Sequence, residues 1–184
     1  MVNVGHGGAL LLAEPVRGES FTAPEIVRRY QRRIYSVLHR MVGRAEEVED
    51  LCQETFLQLL RNPAGLAGAR DRDAWVYRVA MNVAVDHLRR KVRDRHLADR
   101  TGEPAAASAP PGEAESAARR ALDTLDPHLR QVVILRIFEG LSHEQISAVV
   151  DAPVGTVRWR LFEARRKLVG ILGPQLKDMK EGSP

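Results

Sequence analysis

The stretch ADRTGEPAAASAPPGEAE, residues 98 to 115, holds no large apolar side chain. Ala, Pro, Gly, Ser and Glu bury too little surface to offset the entropy of ordering, so this stretch reads as a flexible linker. It divides the 184-residue chain into two segments, about 21 to 97 and about 116 to 173, each the size of a small domain. Residues 1 to 20 read as a loose leader and 174 to 184 as a tail, and neither is given a role. The apolar run in GGALLLAEP is too short to span a bilayer and lacks the basic segment of a signal peptide.

Both segments read as helical. Aromatic residues are 5% of the chain and apolar residues 44%, so the cores must be mostly Leu, Val and Ala, which suits helices better than sheets. Thr22 and Glu25 have capping-box spacing, and Ile26, Val27, Tyr30, Ile34, Val37, Leu38 and Met41 follow at helical intervals up to a stop at Gly43. A second helix is expected from about Ala45 to Arg61, ended by Asn62-Pro63, with a Gly-rich loop, NPAGLAGARDR, continuing to Arg72. A long third helix starts near Asp73 and runs into an arginine-rich stretch. In the second segment a short helix is expected near 115 to 125. Asp126-Pro127 opens another that ends at Gly140, and Ser142 with Gln145 caps the next. The expected fold is all-α, two small helical domains joined by a flexible linker.

Lys and Arg exceed Asp and Glu by 28 to 24, which says little until the distribution is read. Arg78 to Arg100 carries seven basic residues against three acidic ones, and Arg158 to Lys167 five against one. Two separate basic patches point to a polyanion contacted at two places. A single cysteine, Cys52, excludes an internal disulfide and a cysteine-cluster zinc site, and a cytoplasmic location is the simple reading. With no Gly-rich phosphate loop, no HExxH and no nucleophile in a supporting motif, an enzyme is not expected, and no cofactor or metal is assigned.

In GLSHEQISAVVDAPVGTVRWRLFEARRKL, Gly140 to Leu168, the pattern gives two helices joined by a tight turn. Ile146, Val149 and Val150 share a stripe on the first, and Val157, Leu161, Ala164 and Leu168 share one on the second, so these faces pack together. The opposite face of the second helix presents Arg158, Trp159, Phe162, Glu163 and Arg166. Aromatics among arginines on an outer face suit a recognition helix entering a DNA major groove, although an αα-hairpin with a solvated basic face fits the same spacing.

The stretch resembles the minus-35-reading domain of the extracytoplasmic-function group of bacterial RNA polymerase sigma factors, whose usual shape is GLS.EEIA…L..P.GTV.SRL.RAR..L. The resemblance implies that Thr156, Arg158, Trp159, Arg160, Phe162, Arg165 and Arg166 lie at or near minus-35 DNA. Trp159 stands where a small Ser is usual and Glu163 where the family often has a basic residue, and both bear on which minus-35 sequence is read. Trp159 offers an apolar base contact or a partner-protein contact, and Glu163 an acceptor for a cytosine amino group.

The first segment supplies two further surfaces. On the second helix Val48, Leu51, Cys52, Thr55 and Leu59 form an inner stripe, and Glu46, Asp50, Gln53, Glu54 and Leu57 an outer one. EDLCQETFLQLLR resembles the family segment EDLVQETFLRAWR, which docks on the clamp coiled coil of the polymerase largest subunit, and this implies Asp50, Gln53, Glu54 and Leu57 as contacts. Cys52 takes a position usually held by Val, so packing is expected of it. On the third helix Arg78, Asn82, Arg89 and Arg93 form a ridge opposite Tyr77, Met81, Ala84 and Leu88. AWVYRVAMNVAVDHLRRKVR resembles AWLYRIARNLALDHLRRRRR, which contacts the minus-10 region as the duplex opens. The resemblance further implies that the loop from Asn62 to Arg72 captures an unstacked minus-10 base with Trp75 nearby, while Trp75 equally fits a core wedge.

A member of this family binds core RNA polymerase, through the clamp and through the beta-subunit flap by way of its second domain. It directs initiation at promoters with minus-35 and minus-10 elements, and it is commonly held inactive by an anti-sigma factor, often membrane-anchored. The alternative is a stand-alone helix-turn-helix regulator, which would need only the C-terminal segment and have no use for the clamp-facing surface.

Overall fold

The computed structural model describes residues 22–101 and 115–181, so the expected leader and most of the expected linker lie outside the described residues. Among the described residues every regular element is a helix: α1 (Ala23–Val42), α2 (Ala45–Arg61), α3 (Pro63–Gly68), α4 (Arg72–Thr101), α5 (Glu115–Asp123), α6 (Pro127–Ile137), α7 (His143–Val150) and α8 (Val154–Glu181).

The helix starts follow local chemistry. At α1 the Glu25 carboxylate accepts from the Thr22 backbone N–H and hydroxyl at 2.8 and 2.9 Å. At α7 the Ser142 hydroxyl accepts from the Gln145 N–H, and the Gln145 side chain accepts from the Ser142 N–H. Asp126 caps α6 by accepting from the His128 N–H, with Pro127 in the first turn. Gly43 ends α1 at φ 87°, where a side chain would be strained. Asp151 ends α7 at φ 49°, a conformation Asp tolerates better than most residues.

Two expectations are corrected here. The stretch from Asn62 to Arg72 is not wholly a loop, because Asn62 accepts from the Gly65 N–H through its side chain and Pro63–Gly68 winds into α3. The helix opened at Pro127 ends at Ile137, not Gly140, since the Leu141 N–H turns back to the Leu135 carbonyl and Gly140 adopts φ 69°.

The N-terminal half packs α1, α2 and α4 around Tyr30, Ile34, Leu38, Met41, Val48, Leu59 and Met81, all essentially inaccessible to solvent. Asp73 pins the start of α4 to α1, accepting from the Tyr30 hydroxyl at 3.0 Å and from Arg33 at 2.8 Å. Burial first, and the Asp73 carboxylate second, push the Tyr30 phenol up to about 12. On the other side Glu47 on α2 accepts from Lys91 and His87 of α4.

In the C-terminal half Leu122, Leu125, Leu129, Val133 and Ala164 form one cluster between α5, α6 and α8. A second set, Val132, Ile134, Leu135, Leu141, Ile146, Val149 and Val157, is continuous with the core of the N-terminal half. Helix α6 is therefore apolar nearly all round and buried from Leu129 to Leu135, as a helix covered on both faces must be. The sequence pattern reads the two segments as separate packing units; the structure lays α7 and α6 directly on α4 and α1.

Candidate functional site

Three surfaces carry the residues singled out by sequence, and each is placed by a buried stripe on the opposite side of its helix. On α2, Val48, Leu51, Thr55 and Leu59 are buried and Cys52 is half-buried against the core, where burial pushes its thiol pKa up. The turn of the helix then carries Glu46, Asp50, Gln53 and Leu57 outward, with Glu54 half-exposed beside them. Leu57 is 52% exposed in this polar ring.

On α4, Tyr77, Met81 and Ala84 are buried, and Asn82, Arg89 and Arg93 are exposed along one ridge as the spacing predicts. Arg78 stands on the same ridge but is already occupied, donating through Nε to the Ala148 carbonyl of α7 at 3.1 Å and through Nη2 to the same oxygen. Arg72 opens α4, and Trp75 is half-buried against the core with its helical neighbours. Trp75 therefore packs as a wedge in this arrangement and lies one turn from the Asn62-to-Arg72 connection.

On α8, Val157 and Ala164 are buried, Leu161 is half-buried against both core clusters, and Leu168 is half-buried against the one between α5 and α6. The turn before it, Asp151 to Pro153, is braced by the Ser147 hydroxyl donating to the Ala152 carbonyl at 2.6 Å. Arg158, Arg165 and Arg166 are exposed, Arg160 and Thr156 are half-exposed, and Trp159 and Phe162 stand 60% and 68% exposed. Two large aromatics open to this degree, one turn apart, form an apolar patch of the kind that marks an interaction surface. Glu163 is not a free acceptor, because Arg166 donates to both of its oxygens and holds its carboxyl below the usual carboxylate range.

His128, half-buried in the first turn of α6, feels the charges of both basic surfaces. Its pKa is lowered by burial first, then by the charges of Arg89 on α4 and Arg160 on α8, with Asp126 and Asp86 opposing in part. Sequence reasoning missed this convergence, and missed the bonds that hold the halves together. The Tyr77 hydroxyl donates to Glu139 at 2.7 Å, and burial and that bond push its pKa far above the ordinary tyrosine range. Arg119 donates to the His39, Arg40 and Met41 carbonyls at the end of α1, and Arg130 joins it at Met41. One available signal was Arg130-Gln131, two polar residues inside the apolar run of α6.

Among the described residues, eight helices ending in a helix-turn-helix with a basic, aromatic outer face define a class of DNA-binding protein. Residues 26–94 match the model for sigma-70 region 2 and residues 116–168 that for sigma-70 region 4. The RNA polymerase sigma-H factor of Pseudomonas aeruginosa is 33% identical over 177 residues, covering 88% of this chain and 92% of that protein. The ECF RNA polymerase sigma-E factor of Haemophilus influenzae is 32% identical over 164 residues, covering 81% of this chain and 86% of the relative. The chain belongs to the extracytoplasmic-function group of the sigma-70 family, transcription initiation factors that work with RNA polymerase.

Solved structures of similar fold include the sigma factor RpoE of Bartonella quintana in complex with the anti-sigma factor NepR, with a TM-score of 0.64 at 20% identity over 82% of this chain and 96% of that one. Another is CnrH in complex with the cytosolic domain of CnrY, with a TM-score of 0.59 at 24% identity over 83% of this chain and 88% of that one. Among the described residues no helix is long and apolar enough to cross a membrane.

Proposed function

We propose that this chain binds core RNA polymerase through the outer face of α2 and reads a promoter at two places, minus-10 DNA along α4 and minus-35 DNA along α8. The working units are residues 21 to 97 and 116 to 173, with 98 to 115 as the tether that lets them reach separate elements. Asp50, Gln53, Glu54 and Leu57 form the clamp contact. Arg78, Asn82, Arg89 and Arg93 track the opened strand, while Arg72 and Trp75 lie beside the base that is captured. Thr156 takes a phosphate at the start of α8, where helix N–H groups favour anions. Arg158, Trp159, Arg160, Phe162, Arg165 and Arg166 meet the minus-35 groove, and the same domain meets the beta-subunit flap.

The observation that carries this reading is Leu57, half-open to water within a polar ring on the face of α2 turned away from the core. A helix-turn-helix regulator acting alone has no use for that surface. Each DNA contact is small and salt-sensitive by itself, and the tether raises the effective concentration of the second. The chain acts in the cytoplasm on this reading. An anti-sigma factor is the inferred inhibitor, since the similar structures of RpoE and CnrH are complexes with NepR and with the cytosolic domain of CnrY; its membrane anchoring is part of the same proposal.

The test is co-elution with core polymerase. The wild-type chain is expected to co-elute, and the Asp50→Lys, Leu57→Ala double variant to elute alone while keeping its helical spectrum. Equal co-elution of both would remove α2 from the contact.

A further inference from the structure

The outer face of α8 is not uniformly basic. Trp159 stands in its second turn, in the part of a recognition helix that reaches base edges, and Phe162 follows one turn on, both largely exposed. Glu163 and Arg166 are drawn to each other, since both carboxylate oxygens accept from the guanidinium. The stretch of the face from Trp159 to Phe162 is therefore apolar, with exposed Arg158 and Arg165 to one side. Base pairs present hydrogen-bond donors and acceptors in the major groove, and one apolar group, the C5 methyl of thymine.

We propose that Trp159 is a specificity-determining residue that reads the C5 methyl of a thymine in the minus-35 element. This rests on the reading of α8 as the minus-35 helix. A protein partner is the poorer occupant, because Arg158 to Lys167 carries five basic residues against one acidic. Such a partner would have to pair or bury those cations around the indole, whereas DNA pairs them with phosphates and offers the methyl in the groove between. Cytosine is poorly matched to this face, since its amino group needs an acceptor and the Glu163 carboxylate is already engaged by Arg166. Residues three apart on a helix have Cβ atoms about 5 to 6 Å apart, and successive bases of one strand rise by about 3.4 Å. Phe162 therefore falls within one or two base steps of the pair that Trp159 reads. Burying one methyl group against the indole is worth about fourfold in affinity.

In the experiment the full chain, alone and with core polymerase, selects duplexes from a random library. The enriched minus-35 element is then remade with each thymine in turn replaced by deoxyuridine, which keeps every hydrogen-bonding group of thymine and lacks only the methyl. At one position the parent chain is expected to lose about fourfold in affinity. Trp159→Ala, at an exposed site where the fold does not depend on the side chain, is expected to bind the thymine duplex more weakly by at least that factor. At the same position it should hold the thymine and deoxyuridine duplexes equally. An element without thymine, indifference to deoxyuridine at every position, or a methyl effect as large in Trp159→Ala as in the parent overturns the inference and leaves the minus-35 reading standing. So does a Trp159→Ala chain that binds the element as the parent does but no longer co-elutes with core polymerase, which makes the indole a protein contact. A selection that enriches no common element, with or without polymerase, overturns the minus-35 reading itself and the inference with it.

Discussion

On the outer face of α8, Arg166 grips Glu163, its Nε donating to one carboxylate oxygen at 3.0 Å and its Nη2 to the other at 2.6 Å. A cation bound in this way is partly neutralised before it meets DNA. Glu163→Ala should release it, strengthening binding of the full chain to minus-35 duplex at low salt and steepening the plot of log K against log salt by about 0.9, the value for one added phosphate contact. Fluorescence anisotropy at several salt concentrations gives the slope, and an unchanged slope would mean that Arg166 faces no phosphate.

Arg158 is exposed one turn into the same helix. If it pairs with a base edge, Arg158→Ala should cost about 1 to 3 kcal/mol and relax the sequence preference at one position. Binding to a set of single-base variants separates the cases, because equal weakening on every sequence marks a phosphate contact.

The continuous core makes a claim about cooperativity. Leu135 lies in the C-terminal half and Ile34 in the N-terminal half, and both are fully buried in one cluster. Leu135→Ala and Ile34→Ala should each cost about 2 to 5 kcal/mol and shift one common unfolding transition in calorimetry. Two transitions, each moved by only one of the substitutions, would contradict a shared core.

Acid should loosen the same arrangement. The ring of His128 has its pKa lowered by burial and by Arg89 and Arg160, so the packed state binds its proton less readily than the unfolded or opened chain. Above the ordinary value near 6.5 both states hold the ring neutral and nothing changes. As pH falls through 6.5 toward the lowered value, the looser state gains protons first and stability is lost. The melting temperature of the parent chain should therefore drop more between pH 7.5 and pH 5.5 than that of His128→Gln, and parallel curves would refute the assignment.

Much of this was legible in the sequence because it depends on local chemistry. The capping boxes at Thr22 and Ser142, the stop at Gly43, the inner stripe of α2 and the ridge of α4 are set by residues three and four apart. What was not legible depends on distant partners. Asn62-Pro63 carries the same cap-and-proline signature as Asp126-Pro127, but following directly on α2 and leading into a Gly-rich stretch it reads first as a helix end. Arg119, Glu139 and Ala148 find partners 62 to 80 residues away in sequence, at the end of α1 and on α4. No periodicity announces such pairings. The apolar circumference of α6 was the available hint that its second face is covered, and the linker reading drew attention away from it.

The most direct test of the central claim is transcription by core RNA polymerase on fragmented genomic DNA of the host, with and without this chain, with mapping of every new RNA start. The account predicts new starts that share sequence elements near minus 35 and minus 10, lost with Asp50→Lys, Leu57→Ala. No new starts, from a chain that still shifts specific DNA fragments by itself, would contradict it and leave a regulator that works without polymerase.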